Sequence, residues 1–201
     1  MKYTIPAVIF AGGKSSRMST DKALLPFGGY TTLSEFQYEK ISQWFETVYL
    51  SSKSNKFHFH CPIIKDIYQE SSPLVGIASI FQLLKTDAVF ILSVDAPLVN
   101  RSVIDSLWEA YTHDTNANTS AIIAQSPSGL QPLCGIYKRS ILPFVLQNIS
   151  LNKHRLSTLL QDAPSKTVFF KEDTLFTNLN TQEEYQKLLH SHTLYNHQKD
   201  S

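Results

Sequence analysis

At 201 residues, 42% of them hydrophobic, the chain is long enough for one domain with a sizeable core and too short for two ordinary ones. Its 18 Lys and Arg against 17 Asp and Glu leave a formal net charge of +1, which removes any general electrostatic case for nucleic acid or an anionic membrane. Cys61 and Cys134 stand far apart with no CxxC spacing, a pattern that argues against a disulfide framework and fits a reducing cytoplasm. No secretion signal opens the sequence, and no stretch reaches the ~18 apolar residues of a membrane span.

In chain order, residues 4–11 (TIPAVIFA) predict a strand covered on both faces. Residues 33–45 predict a helix, with Phe36, Ile41, Trp44 and Phe45 at roughly helical spacing, and residues 47–52 and 62–67 two further strands. A helix over 75–85 places Ile77, Ile80, Phe81 and Leu84 on one face. Residues 88–95 (AVFILSVD) form the most buried-looking strand, followed by a helix over 101–113 with Asn100 as its N-cap. Strands over 119–125 and 132–139, short helices over 140–149 and 155–163, and extended pieces over 166–172 and 176–180 follow. A final helix opens at Thr181, which has capping-box spacing to Glu184. Strands alternating with helices imply a three-layer α/β/α sandwich on a mostly parallel, Rossmann-like sheet, with the site at the carboxyl ends of the strands. A single domain over 1–190 and a polar, frayed tail over 191–201 are expected.

The strand over 4–11 runs into Ala11-Gly12-Gly13 and then Lys14-Ser15-Ser16-Arg17. Glycines there let peptide N–H groups approach a ligand closely, and phosphate is the natural guest. Neither GxxxxGK[ST] nor GxGxxG is present, so this is a different phosphate loop. Arg17 can grip phosphate oxygens bidentately and Lys22 supplies a movable charge. The bland readings are a plain turn for the glycine pair, solvated cations, and a turn-starting Asp for Asp95.

The string AGGKSSRMSTDKALLPFGG (11–29) resembles the signature loop of the nucleotidyltransferases with a Rossmann-like fold, and most closely the molybdenum cofactor guanylyltransferases of the MobA type. Four later blocks are similar to that family in the same order: residues 66–81, with Asp66 before Ser-Pro-Leu-Val-Gly; residues 90–99, ending in Asp-Ala-Pro; LQPLCGIYKR (130–139); and FTNLNTQEE (176–184). The resemblance implies transfer of GMP from GTP to the terminal phosphate of molybdopterin, with pyrophosphate leaving and Mg2+, or Mn2+, present. It implies that Ala11, Gly12, Gly13, Lys22, Ser51, Asp66 and Asp95 line the nucleotide, that Asp95 ligates the metal, and that Arg17, Lys22 and Asp95 are catalytic. Arg155, with Lys153, and Asn178 and Asn180 would lie on the pterin side, although an exposed helix start and a helix cap account for them equally well. Substrates would be GTP and molybdopterin, with molybdoenzymes or their chaperones as transient partners.

The residue chemistry agrees. A carboxylate at a strand end, facing phosphate oxygens, suits a hard divalent cation. An anionic phosphate nucleophile needs no general base, consistent with the lack of a Ser-His or Cys-His constellation. Three positions depart from the family's pattern: Ser19 and Ser72 stand where glycine is usual, and Ser51-Ser52 where an Asn is often found. Guanine preference follows from Ala-Gly-Gly by association, since cytidylyltransferase relatives more often carry Ala-Ala-Gly. A cytidylyl or other small nucleotidyltransferase, and a non-catalytic nucleotide-binding scaffold, remain the alternatives. The histidines of HFHC (58–61) and of the tail are expected to be surface residues, not zinc ligands.

Overall fold

The computed structural model describes residues 2–12, 21–68, 72–179, 181, 183–186 and 188–189. Seven strands form one sheet: β1 (Ala7–Phe10), β2 (Val48–Ser51), β3 (Ile63–Ile64), β4 (Ala88–Ser93), β5 (Ala121–Ser126), β6 (Gly129–Lys138) and β7 (Ser165–Phe169), in the spatial order β3-β2-β1-β4-β6-β5-β7. Five α-helices, α1 (Leu33–Ser42), α2 (Pro73–Leu83), α3 (Arg101–Thr112), α4 (Leu142–Ser150) and α5 (Leu156–Asp162), cover its two faces. This is the expected α/β sandwich.

The layers follow from period-two alternation along the strands. Ala7 and Ile9 of β1 and Phe90 and Leu92 of β4 join Ile41, Val103, Ile104 and Leu107 in the core under α1 and α3. Val8, Phe10, Val89 and Ile91 turn the other way, toward Leu74, Ile77 and Ile80 of α2 and Leu159 of α5. Each fully buried aliphatic side chain contributes about 2 kcal/mol of transfer free energy. Phe45 adds a stacked ring pair with Phe90, centroids 5.1 Å apart.

Helix starts obey local chemistry. Thr32 accepts from the Glu35 N–H at 3.0 Å, Asn100 from the Val103 N–H at 3.2 Å, and Ser72 from the Val75 N–H at 3.3 Å, with Pro73 in the first turn of α2. The Ser72 cap starts α2 two residues before the apolar stripe does. α1 stops at Ser42, short of the predicted end: Trp44 and Phe45 both turn back to the Ile41 carbonyl, and Phe45 bridges to Tyr3 beside β1. The Thr181–Glu184 capping box forms in both directions, Thr181 N–H to the Glu184 carboxylate at 2.8 Å and Glu184 N–H to Thr181 Oγ1 at 3.1 Å. The extended piece expected over 176–180 is instead preceded by a 3-10 turn, Asp173–Phe176, which buries Phe176. The expectation for 191–201 falls outside the described residues.

Pairing direction divides the sheet. β3, β2, β1 and β4 are parallel, whereas β6 runs antiparallel to both β4 and β5, and β7 is parallel to β5. β1 is therefore the switch point: the chain steps outward to β2 and β3, then returns across β1 to β4, and a crevice opens at the carboxyl ends between them. β6 carries an irregularity of its own. Ile123 pairs with Gly135 but Ala124 with Gln131, so residues 132–134 bulge from the ladder. Pro132 has no N–H to give to a ladder, Tyr137 ties the Pro132 carbonyl with its hydroxyl at 2.6 Å, and a Cβ on Gly135 would stand 2.6 Å from the Ile122 carbonyl oxygen.

Candidate active site

Two clefts meet at the end of β4. The larger, about 470 Å³, extends across the carboxyl ends of β1 and β2 and the start of α2; Gly12, Asp21, Ser51, Ser52, Lys56 and Asp66 are among its walls. The smaller, about 220 Å³, is bounded by Asp95, Gln131, Pro132, Cys134, Leu156, Phe176 and Asn178. Ser93 and Leu133 line both, so the end of β4 and the bulge of β6 form the partition.

Residues 73 positions apart in sequence, Lys22 and Asp95, converge there. Asp21 caps a 3-10 turn, Lys22–Leu24, through the Ala23 N–H at 3.1 Å, which directs Lys22 inward. Lys22 Nζ stands 4.0 Å from Asp95 Oδ2, with 14% and 24% of the two side chains exposed. Asp95 Oδ1 accepts from Ser93 Oγ at 2.5 Å, and the Asp95 carbonyl accepts from the Leu179 N–H at 2.9 Å. That last bond joins the Asn178-containing segment to the partition.

Asp66 lies just past β3, which spans only Ile63–Ile64 and not the longer strand expected; burial raises its carboxyl pKa above the usual carboxylate range while Lys53 pulls it back. Ser51 and Ser52 are buried at the end of β2, and the Ala11 N–H donates to the Ser51 carbonyl at 3.0 Å. Among the described residues, a Cβ on Gly12 would meet Ser52 Cα at 3.7 Å and Ser51 O at 3.8 Å, ordinary contacts. Contacts with the described residues therefore do not demand glycine at 12, which borders the larger cleft. Arg155 is exposed at the start of α5 and it is the neighbouring Leu156 that reaches the smaller cleft; Lys153 is exposed as well. Gly13, Arg17 and Asn180 lie outside the described residues.

Several residues escaped the sequence reading. Lys56 forms an ion pair with Asp21, fastening the β2–β3 loop to the residue that precedes Lys22, and Lys53 lines the same cleft. The signal was two lysines directly after a strand that ends in the crevice. From α1, Gln37 and Lys40 reach the turn that carries Asp95. Burial lowers the Lys40 ammonium to about 7 and pushes the neighbouring Cys134 thiol up to about 12. Cys61 and Cys134 are both free thiols. Among the described residues no helix is long and apolar enough to cross a membrane.

Residues 7–167 match the family model of the MobA-like NTP transferase domain. The chain belongs to this family. It is 36% identical over 182 residues to a molybdenum cofactor guanylyltransferase of Campylobacter jejuni subsp. jejuni, covering 90% of this chain and 93% of that protein. A molybdenum cofactor guanylyltransferase of Helicobacter pylori is 32% identical, with 90% of each chain covered. The molybdopterin-guanine dinucleotide biosynthesis protein A of Archaeoglobus fulgidus superposes with a TM-score of 0.77 over 92% of this chain and 97% of that one; at 17% identity it speaks for the fold. As a MobA-like NTP transferase the protein is a nucleotidyltransferase enzyme, and Lys22, Asp95 and the two clefts lie where its sheet switches direction.

Proposed function

We propose that this protein is a molybdenum cofactor guanylyltransferase: it transfers GMP from GTP to the terminal phosphate of molybdopterin and releases pyrophosphate. The relatives that carry this name cover 90% of the chain at 32% and 36% identity. The observation that carries the reading is the Lys22–Asp95 pair at the junction of two clefts, one for each substrate. An acceptor phosphate oxygen attacks the α-phosphorus from the smaller cleft, and the bond from that phosphorus to the β-phosphate bridging oxygen breaks on the opposite side. The attacking group is already an anion, so the protein's task is alignment and charge neutralisation.

Each residue then has a physical task. Ala11, Gly12 and Gly13 present backbone to the triphosphate. Lys22 holds phosphate charge, with Arg17 as its partner in this role. Ser51 and Asp66 face the nucleoside end of the larger cleft. Pro132, Leu133, Leu156 and Phe176 offer the flat apolar walls that suit a pterin ring, with Gln131 and Asn178 as polar contacts. Arg155 is assigned to the rim of that side, and Asn180 keeps a pterin-side role by resemblance alone.

Asp95 suits Mg2+. Among the described residues no three acidic, His or Cys groups gather into a metal cluster, and Mg2+ characteristically uses one or two carboxylates and takes its other ligands from substrate phosphates and water. Asp95 would hold the ion, which when bound polarises the phosphate oxygens and offsets their developing charge; Mn2+ would serve the same donors. Two free cysteines are consistent with a cytoplasmic enzyme, and one domain over 1–190 with its substrates as its principal partners is the organisation we assign.

The test is to incubate the enzyme with molybdopterin, Mg2+ and each of the four nucleoside triphosphates, following dinucleotide by mass and pyrophosphate by coupled assay. A guanine dinucleotide formed with equimolar pyrophosphate from GTP alone is expected. A cytosine dinucleotide would move the protein to the cytidylyl branch, and no turnover with any triphosphate would leave a scaffold.

A further inference from the structure

The turn that carries Asp95 is held from outside by side chains of α1. Gln37 is fully buried, and its Nε2 donates to three carbonyls of that turn: Ser93 at 3.4 Å, Val94 at 3.3 Å and Ala96 at 3.1 Å. One turn further along α1, Lys40 Nζ donates to Pro97 O at 2.7 Å and Val99 O at 3.1 Å. The Asp95 carbonyl is taken by Leu179 N–H. The carbonyl oxygens of Ser93, Val94, Asp95, Ala96, Pro97 and Val99 are thus pinned by groups distant in sequence, with the Asp95 carboxylate projecting from among them.

Gln37 is an odd choice for a merely space-filling position. Its Oε1 is buried with no hydrogen-bond partner, a penalty that an apolar side chain of the same length would avoid. The amide is oriented by its donors alone, since the carbonyls it faces can only accept. What those donors hold is the backbone on either side of one carboxylate, as groups behind a metal ligand hold it.

We infer that Gln37 is a positioning residue for Asp95, clasping the 93–99 turn so that its carboxylate is presented to the metal and nucleotide, with Lys40 completing the clasp. The inference rests on the guanylyltransferase reading above. Gln37 touches no substrate; it acts through the turn.

The experiment compares the wild type with Gln37→Met, which keeps the length and loses the donors, and with Gln37→Glu, which sets an acceptor against the carbonyls. Mn2+ binding to the enzyme–GTP complex is read by electron paramagnetic resonance, alongside kcat and KM and a folded fraction from circular dichroism. Per folded molecule, both variants are expected to bind Mn2+ roughly tenfold more weakly and to lose kcat by a similar factor. Their KM for GTP should stay within about twofold, because a defect confined to the reacting centre leaves the rest of the nucleotide site intact. Lys40→Met gives a second route should either Gln37 variant fold poorly, with a weaker shift in the same direction. Lys138→Met, which cuts the Lys138–Asp114 ion pair of 2.8 Å at the opposite end of β4, controls for stability alone and should leave Mn2+ affinity unchanged. Wild-type Mn2+ affinity and kcat in Gln37→Met and Lys40→Met would overturn the positioning role while guanylyl transfer stood. A wild type inactive with every triphosphate would instead remove the reading on which the inference is built.

Discussion

The two halves of the sheet build a site in different ways. β3, β2, β1 and β4 all point the same way, so four successive strand ends deliver Asp66, Ser51, Gly12 and Asp95 to one rim. In the half formed by β6, β5 and β7 only β6 is reversed; β5 and β7 run with β4, but their ends line neither cleft, and this half contributes a wall, made where β6 swells out of register at 132–134. Parallel direction gathers charged groups, while a bulge shapes surface. Changes in the first half should therefore fall on chemistry and changes in the second on stability.

Lys22→Met should give the largest effect and the cleanest break: kcat/KM for GTP lower by about 10²–10³-fold, as for loss of one charge-stabilising donor, with the thermal midpoint moved by only a few degrees. A comparable loss of stability would mean that Lys22 is structural and that the halves do not divide the labour. Glycine substitutions come next. Gly135→Ala drives a Cβ to 2.6 Å from the Ile122 carbonyl oxygen and 3.1 Å from Ile123 Cα, backbone that cannot swing aside, and about 3 kcal/mol of destabilisation is expected in urea unfolding. Gly76→Ala also collides, at 2.4 Å, but with the ring of Phe10, which can rotate; about 1 kcal/mol is expected there, together with a raised KM for GTP if the larger cleft, which Phe10 and Gly76 line, holds the nucleotide as proposed. Equal costs at the two positions would erase the distinction between a yielding and an unyielding neighbour.

The smallest effect concerns pH. Lys40 titrates near 7 in the folded protein and near 10.5 unfolded, so between these values the unfolded chain binds more protons and stability rises with pH. Cys134 beside it is raised to about 12 from 9.0, so its unfolded thiol loses its proton first and partly offsets this rise from about pH 8 upward, equally in wild type and in a Lys40 variant. Lys40→Met should therefore remove a gain in thermal midpoint between pH 7 and 9 that the wild type shows. An identical slope in both would place the Lys40 ammonium in water.

Much of this was legible locally. The apolar run before Asp95 had to be a central strand, and Asn100 and the Thr181–Glu184 pair announced helix starts because a cap is settled within four residues. Gly12, Lys22 and Asp95 were joined by the family resemblance, and the order of strands and helices agreed because it fixes which ends share a rim. Pairing direction was less accessible: residues 132–139 look the same whether parallel or antiparallel, and only their neighbours decide. Gln37 and Lys40 were hidden inside an ordinary polar stretch of helix, since their importance lies in carbonyls more than fifty positions away. Asp66 and Lys56 depended on where a two-residue edge strand stopped, a boundary set by contacts with β2 and not by composition.

The Tyr185 hydroxyl bonds the Pro26 carbonyl, and the Leu179 N–H bonds the Asp95 carbonyl, so late-made residues fasten onto the segment after Lys22 and the turn that carries Asp95. During translation the glycine loop and the β4 turn emerge well before these fastenings exist. A chain ended short of residue 176 would hold all seven strands and lack both fastenings, so the corner around Asp95 is completed only by the last-made residues.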